Sequence, residues 1–289
     1  MKQIPTIEDY LKTPVHPLRQ KGGYCLAIRR ERDPGKPLVT VFTIVKNRKE
    51  TLSRTIMSVL NQSYSNIEYI VIDGASTDGT LEVIKQFDDK IDLWISEPDS
   101  GTSDAGNKAI SIAKGEFIFW LSSDDWIDRN FIEEAVCAFL RSGADFVFGN
   151  MMMYKNKISV AEYKGDQEYV KSLMSGYPYF MFPAMIIKKE YFNKIGLINM
   201  TYKYFSDYEW VLRLHLSGAK GFYLRSLAIH REVGGVGEEL SVQSILEHFR
   251  LLKQYNLPKS KTLITYTYYL IRRIIGKFVR ILLPRLFVE

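Results

Sequence analysis

A chain of 289 residues, 46% hydrophobic and 25% charged, has the composition of an ordinary globular protein, with room for one large domain plus additions or two small ones. Its net charge of +6 arises after residue 256, where seven basic residues face one acid; residues 1–256 balance 32 basic against 32 acidic, which argues against a general nucleic-acid-binding surface. Cys25 and Cys137 make neither a disulfide framework nor a zinc site and fit a reducing compartment, Met1–Pro5 lacks the apolar core of a secretory leader, and no run of about 18 apolar residues could cross a bilayer.

Residues 1–37 carry Pro5, Pro14, Pro17, Pro34 and Pro37 without a sustained apolar period, and predict an irregular extension with a short helix at Ile7–Leu11. Leu38–Val45 reads as a first buried strand. A helix over Glu50–Asn61 follows, with Leu52, Ile56, Val59 and Leu60 on one face. Strands at Ile67–Ile72, Ile91–Ser96 and Phe117–Leu121 then alternate with helices at Leu81–Phe87, Asp104–Ala113 and Asn130–Ser142. Such alternation predicts an α/β fold: a parallel sheet with helices on both faces. After a strand at Asp145–Asn150 the pattern fades. Met151–Val160 suggests a hairpin or edge strand, Tyr177–Pro183 an aromatic loop, and Ala184–Ile187 a strand. A helix at Asp207–Ser217, a strand at Phe222–His230 and a helix at Val242–Tyr255 complete a main domain of residues 38–256.

Three acidic turns follow three successive strands: Asp73, the Glu97–Asp104 stretch, and Asp124 with Asp125. In a parallel sheet all three gather at the carboxyl edge, where ligands of open α/β sheets bind. Adjacent carboxylates repel unless a cation or a proton intervenes, so Asp124 and Asp125 suit a hard divalent ion such as Mg²⁺ or Mn²⁺ that itself holds phosphates; capping of the next helix is the plainer alternative. Asp99 and Asp104 offer acceptors for hydroxyls or a base edge, and Asn107 and Lys108 could donate to phosphate. Asp78 reads as a loop cap.

The ordered motifs Thr43…Asn47, Ile72-Asp73-Gly74-Ala75-Ser76-Thr77-Asp78-Gly79-Thr80, Asp99…Asp104-Ala105-Gly106-Asn107-Lys108, Gly115…Asp124-Asp125 and Ser206-Asp207-Tyr208-Glu209-Trp210 resemble those of a family 2 glycosyltransferase. The likeness covers roughly residues 38–235 and is greatest to members that build bacterial surface polysaccharides. It implies the GT-A fold and an inverting transfer from a nucleotide-diphospho-sugar donor to a glycan or lipid-linked acceptor. By the same resemblance, Thr43, Asn47, Asp73, Asp99, Asp104, Asn107, Lys108 and Asp124 would surround the donor. Asp125, with Asp124 and His230, would hold Mn²⁺ or Mg²⁺, although a structural or acceptor-side role for His230 stands beside that one. Asp207 would be the catalytic base, with Glu209 as the alternative because Ser206 stands where the family has an acid. Arg213 and Arg231 would steady phosphates, or Arg213 would pair within its own helix. The aromatic loop at Tyr177–Pro183 departs from the family and suits either acceptor contact or core packing. A nucleotidyltransferase would show a glycine-rich basic loop in place of Val45-Lys46-Asn47-Arg48. A non-catalytic sugar-binding protein would have no need of Asp125 and Asp207.

The tail, residues 257–289, predicts a helix of roughly Lys261–Leu283 between Pro258 and Pro284. Arg272, Arg273, Lys277 and Arg280 fall on one arc, opposite Ile274, Ile275, Phe278, Val279, Ile281 and Leu282. That pattern suits an interfacial helix on anionic lipid, and equally a helix docked on the domain or on the partner of a homodimer. The lipid-linked acceptors that the resemblance implies favour the membrane, and place the protein in the cytoplasm on the inner membrane face.

Overall fold

The computed structural model describes residues 4–24, 33–176, 182–232, 241–260, 262–264 and 266–267. Its centre is a block of parallel strands, β2 (Val39–Val45), β3 (Ile67–Asp73), β4 (Leu93–Ser96) and β5 (Phe117–Trp120), ordered β4-β3-β2-β5. Both faces are covered, so these strands need apolar side chains at every step. Along β2, Val39, Val41 and Val45 enter one core layer while Phe42 and Ile44 enter the other. The first layer packs under α2 (Lys49–Leu60), α3 (Thr80–Lys85) and α5 (Phe131–Ser142); the second packs under α4 (Thr102–Ile112) and the later helices.

Beyond β5 the sheet becomes mixed. β9 (Met185–Lys188) is antiparallel to both β5 and β7 (Phe146–Lys155), β10 (Gly221–Glu232) runs parallel to β7, and β6 (Asp125–Ile127) closes the edge antiparallel to β10. The change of direction begins where the strand–helix alternation fades in the sequence. β8 (Ile158–Tyr163) folds back on β7 as the expected hairpin, with Asn156 and Lys157 both at positive φ, the conformation a two-residue turn needs.

The N-terminal segment is less irregular than its prolines suggest. α1 (Ile7–Leu11) carries a capping box from Thr6 and Asp9, and β1 (Gln20–Gly22) adds an antiparallel edge to β4. Pairing across the sheet edge gives β1 its place, and a three-residue strand has no periodicity to announce it. α6 (Tyr169–Met174) and α7 (Glu190–Ile195) are likewise too short to be read as periodic. α8 (Ser206–Leu216) and α9 (Val242–Gln254) complete the second layer. Of the expected aromatic loop, only Phe182 and Pro183 fall among the described residues; the expected tail helix lies outside them beyond Thr267.

Candidate active site

At the carboxyl edge of the parallel block lies a cavity of about 770 Å³, within the range of small-molecule sites. The loop after β2 brings Lys46, Asn47 and Arg48 to its wall, the turn before α4 brings Asp99, and the turn after β5 brings Ser122, Ser123 and Asp124. Arg231 enters from β10, and Met151, Met153 and Tyr163 of the β7–β8 hairpin form an apolar side.

The first two acidic turns meet as their sequence suggests. The Asp99 carboxylate lies over Gly74, so close that a Cβ at this position would push it aside. Asp73 itself is buried and faces inward, accepting from the hydroxyls of Ser76 (2.5 Å) and Ser96 (2.6 Å). Ser76 in turn accepts from the Asn47 amide at 2.8 Å, and the Asn47 side chain accepts from Thr77 at 2.9 Å. Asp73 and Asn47 therefore shape the loop pair that forms one wall. Asp78 caps, as expected, accepting from Lys49 and Thr80 amides. Thr43 is buried in the sheet against the Tyr69 hydroxyl, 3.2 Å away, and does not reach the cavity.

Three expected donor contacts belong instead to the scaffold. Asp104 accepts from the Tyr10 hydroxyl (3.0 Å) and the Ser100 amide (2.9 Å). Asn107 is buried and pairs in both directions with the Ile198 backbone at 2.9 Å. Lys108 reaches Glu97 at 3.0 Å and Asp104 at 3.5 Å. Spacing places these residues on a helix but does not reveal that their face of it turns away from the cavity.

The third turn is held from α2. Thr51 donates to the Ser123 carbonyl (2.8 Å), Arg54 to Asp124 (3.3 Å) and Thr55 to Asp125 (2.7 Å). The chain then re-enters the sheet as β6, in a register that sets Asp125 opposite Arg231 and Trp126 opposite His230. Cross-strand partners share a face and their neighbours take the other. Arg231 accordingly forms a two-point pair with Asp125, with both bonds 2.7 Å, while His230 points the opposite way. His230 stacks on Trp126 and approaches Asp128 (3.0 Å) and the Tyr154 hydroxyl (3.2 Å). His230 thus leaves the expected metal set because strand alternation turns it from Asp125. Burial pushes the Asp125 carboxyl up to about 6, against the pull of Arg231.

For a divalent ion the donor set is narrower than expected. Among the described residues no three His, Cys, Asp or Glu side chains converge on one point. Both oxygens of Asp125 are taken by Arg231, whereas Asp124 opens into the cavity. A hard ion that keeps water and phosphate as its other ligands needs only one or two carboxylates. Asp124 meets that need; Asp125 meets it only with Arg231 turned aside.

The α8 carboxylates separate cleanly. Glu209 is fully buried, clasped by Arg213 at 3.0–3.1 Å and by the Tyr255 hydroxyl at 2.6 Å, so it cannot meet a substrate. Arg213, which also donates to Leu197 and Ile195 carbonyls, is committed there and is remote from any phosphate role. Asp207 is exposed on the first turn of α8 and is not among the residues lining the cavity. Desolvation by the surrounding protein raises its carboxyl pKa, against the lowering effect of the Tyr208 amide and the Arg231 charge. Burial pulls the Arg231 pKa down, but the bond to Asp125 and the charges of Asp125, Asp124 and Asp207 raise it above the usual value. A further link joins the two halves: Ser103 at the start of α4 bonds Ser206 at the start of α8, 3.1 Å apart.

The family model of glycosyl transferase family 2 matches residues 40–196, more than half of the chain. This chain belongs to glycosyl transferase family 2. Over 118 residues it is 36% identical to a putative teichuronic acid biosynthesis glycosyltransferase, TuaG, of Bacillus subtilis; that match covers 37% of this chain and about half (47%) of TuaG. Over 243 residues it is 25% identical to WfaP of Escherichia coli, a UDP-Glc:alpha-D-GlcNAc-diphosphoundecaprenol beta-1,3-glucosyltransferase, covering 82% of this chain and 94% of the relative. In structure it is similar to residues 1–349 of TarS from S. aureus in complex with UDP-GlcNAc, with TM-score 0.60, 18% identity, and 73% and 64% of the two chains covered. The last likeness speaks for the fold, which is the GT-A fold of this family, and the family makes the chain a glycosyltransferase. Residues the sequence reading passed over in the site are Lys46 and Arg48, two cations directly after β2. Their position at a strand's carboxyl end was the available signal.

Proposed function

We propose that this glycosyltransferase moves a sugar from a nucleotide-diphosphate donor to a hydroxyl of a glycan acceptor with inversion at the anomeric carbon. The observation that carries the reading is Arg231, which lines a donor-sized cavity, pairs with Asp125 of the Asp124–Asp125 turn and acts electrostatically on Asp207. The diphosphate lies against the cavity's cationic side, formed by Lys46, Arg48 and Arg231, and the acceptor comes in past Asp207. Asp207 takes the proton from the acceptor hydroxyl as its oxygen bonds to the anomeric carbon. The bond from that carbon to the diphosphate oxygen breaks in the same step, and the electron pair leaves with the nucleotide. Its raised pKa makes Asp207 a better proton acceptor than an ordinary carboxylate. Arg231, oriented by Asp125, offers a fixed positive charge to the departing diphosphate. Asp124 would hold Mn²⁺ or Mg²⁺, which when bound supplies further Lewis-acid neutralisation of that charge.

The names of the relatives support a place in bacterial surface-polysaccharide synthesis and a lipid-linked acceptor. With the basic amphipathic sequence of the tail, they support a cytoplasmic protein held at the inner membrane face. The experiment is a panel of nucleotide sugars with Mn²⁺ and a polyprenyl-diphosphate glycan, read by nucleotide diphosphate release and by product anomer. Transfer with retained configuration, or none with any donor despite nucleotide binding, would overturn the reading.

A further inference from the structure

The base-bearing helix is anchored by a residue from a different part of the chain. Glu247 of α9 accepts hydrogen bonds from three successive amides, Lys203 at 2.9 Å, Tyr204 at 2.6 Å and Phe205 at 2.9 Å. Phe205 occupies the N-cap position of α8 and has no side-chain cap of its own. Helix starts ordinarily use a local Ser, Thr, Asp or Asn for that purpose. Here a carboxylate 42–44 residues away fixes the backbone that delivers Asp207. The next residue, His248, stacks on the Phe205 ring with centroids 4.5 Å apart and meets the Tyr266 hydroxyl at 2.7 Å. One turn of α9 therefore grips the same residue by its amide and by its ring.

We propose that Glu247 is a positioning residue for transfer: it fixes the 203–205 backbone so that Asp207 meets the acceptor hydroxyl at the correct place. The proposal rests on the reading of Asp207 as the base. Two charges from other elements bear on Asp207, Arg231 of β10 lowering its pKa and Glu247 raising it, while the Tyr208 amide of its own helix lowers it. Glu247 thus shapes both where the base stands and how readily it takes a proton. Misplacement of a reacting group by about 1 Å costs on the order of 100-fold in rate, and the substrate's other contacts are untouched.

The test uses full-length E247A and E247Q, comparing donor turnover across pH, UDP affinity by calorimetry and hydrogen exchange at the amides of residues 203–205. The expected result is UDP affinity within about twofold, turnover down roughly 10- to 100-fold in E247A, and a smaller loss in E247Q, which keeps one acceptor oxygen. Exchange at the three amides quickens, and the midpoint of the acid limb moves down because a like charge is gone. The proposal is overturned if E247A keeps turnover within twofold while those amides exchange faster, or if UDP affinity falls in step with turnover. A wild-type chain that binds UDP but turns over no donor overturns the reading of Asp207 itself.

Discussion

Glu97 and Asp125 are buried carboxylates that an arginine clasps in a two-point pair, and they behave in opposite ways. Glu97 accepts from Arg19 at 2.6 and 2.9 Å, and Lys108 stands 3.0 Å from it as a second cation. Burial alone would raise its pKa, but the bonds and charges of Arg19 and Lys108 together hold it below the usual value. Asp125 has one direct cation, Arg231, and a neighbouring carboxylate in Asp124, and burial prevails, leaving it near 6. The count of partner charges separates a brace from a poised group. At Glu97 the N-terminal segment is pinned to the turn that carries Asp99. At Asp125 the single arginine also lines the cavity.

The largest effect expected of a single substitution lies beyond that arginine. Asp207→Asn removes the proposed proton acceptor and keeps the shape, so turnover should fall about 10²–10⁴-fold while UDP affinity moves no more than about threefold. A parallel loss of both would make Asp207 a donor contact and dissolve the division between donor side and acceptor side. Next come the arginines. Arg231→Ala should weaken UDP binding and lower turnover together, on the order of 10- to 100-fold, as expected for a charge preorganised toward the leaving group. Arg19→Ala should cost stability instead, about 2 kcal/mol because Lys108 still partners Glu97, with UDP affinity in the folded protein little changed. If the two variants give the same profile in calorimetry and denaturant titration, the distinction between brace and poised group fails.

Much of this was legible in the sequence, for reasons that also mark where legibility stops. β2, α2, β3 and β5 follow from largely apolar runs and a 3.6-residue period, and the meeting of Asp99 with Gly74 follows from two turns on one sheet edge. Asp104, Asn107 and Lys108 were placed on the right helix, but their partners are Tyr10, Ile198 and Glu97, and no local pattern announces which face those segments cover. The Asp125–Arg231 pair spans 106 residues and depends on the register of β6 against β10, a three-residue strand too short to read. Glu209 and Asp207 are two positions apart on one helix, and only packing reveals that one is buried under Tyr255 while the other meets water.

The comparison also fixes signs for stability against pH. Asp125 has a raised pKa in the folded state, so the folded protein binds its proton first, and stability from this group increases as pH falls from about 6 toward 3.8. Glu97 is lowered, so its contribution is present above the unfolded value of 4.5 and is lost as pH falls below it. Asp125→Asn should remove the gain, by up to about 3 kcal/mol between pH 7 and pH 4. Glu97→Gln should lower stability at neutral pH and flatten the loss in acid. Urea titrations at pH 7, 5.5 and 4 distinguish the two; a change of the same sign for both would contradict the assigned shifts.

The smallest effect expected at neutral pH comes from a buried titratable group for which no charged partner offsets burial. His248 is 1% exposed, and burial lowers its pKa to about 4. The unfolded chain takes up this proton near 6.5 and the folded chain resists until about 4, so stability drains away as pH falls through that window. His248→Phe keeps a ring against Phe205 and removes the proton. It loses the Tyr266 hydrogen bond, which costs about 1 kcal/mol at pH 7, but it should be spared about 3 kcal/mol of the wild type's decline by pH 4. The two stability curves should therefore cross in mild acid. Parallel curves would mean that His248 is protonated in the folded state, and that burial at α9 is offset by charge after all, as it is at Glu97.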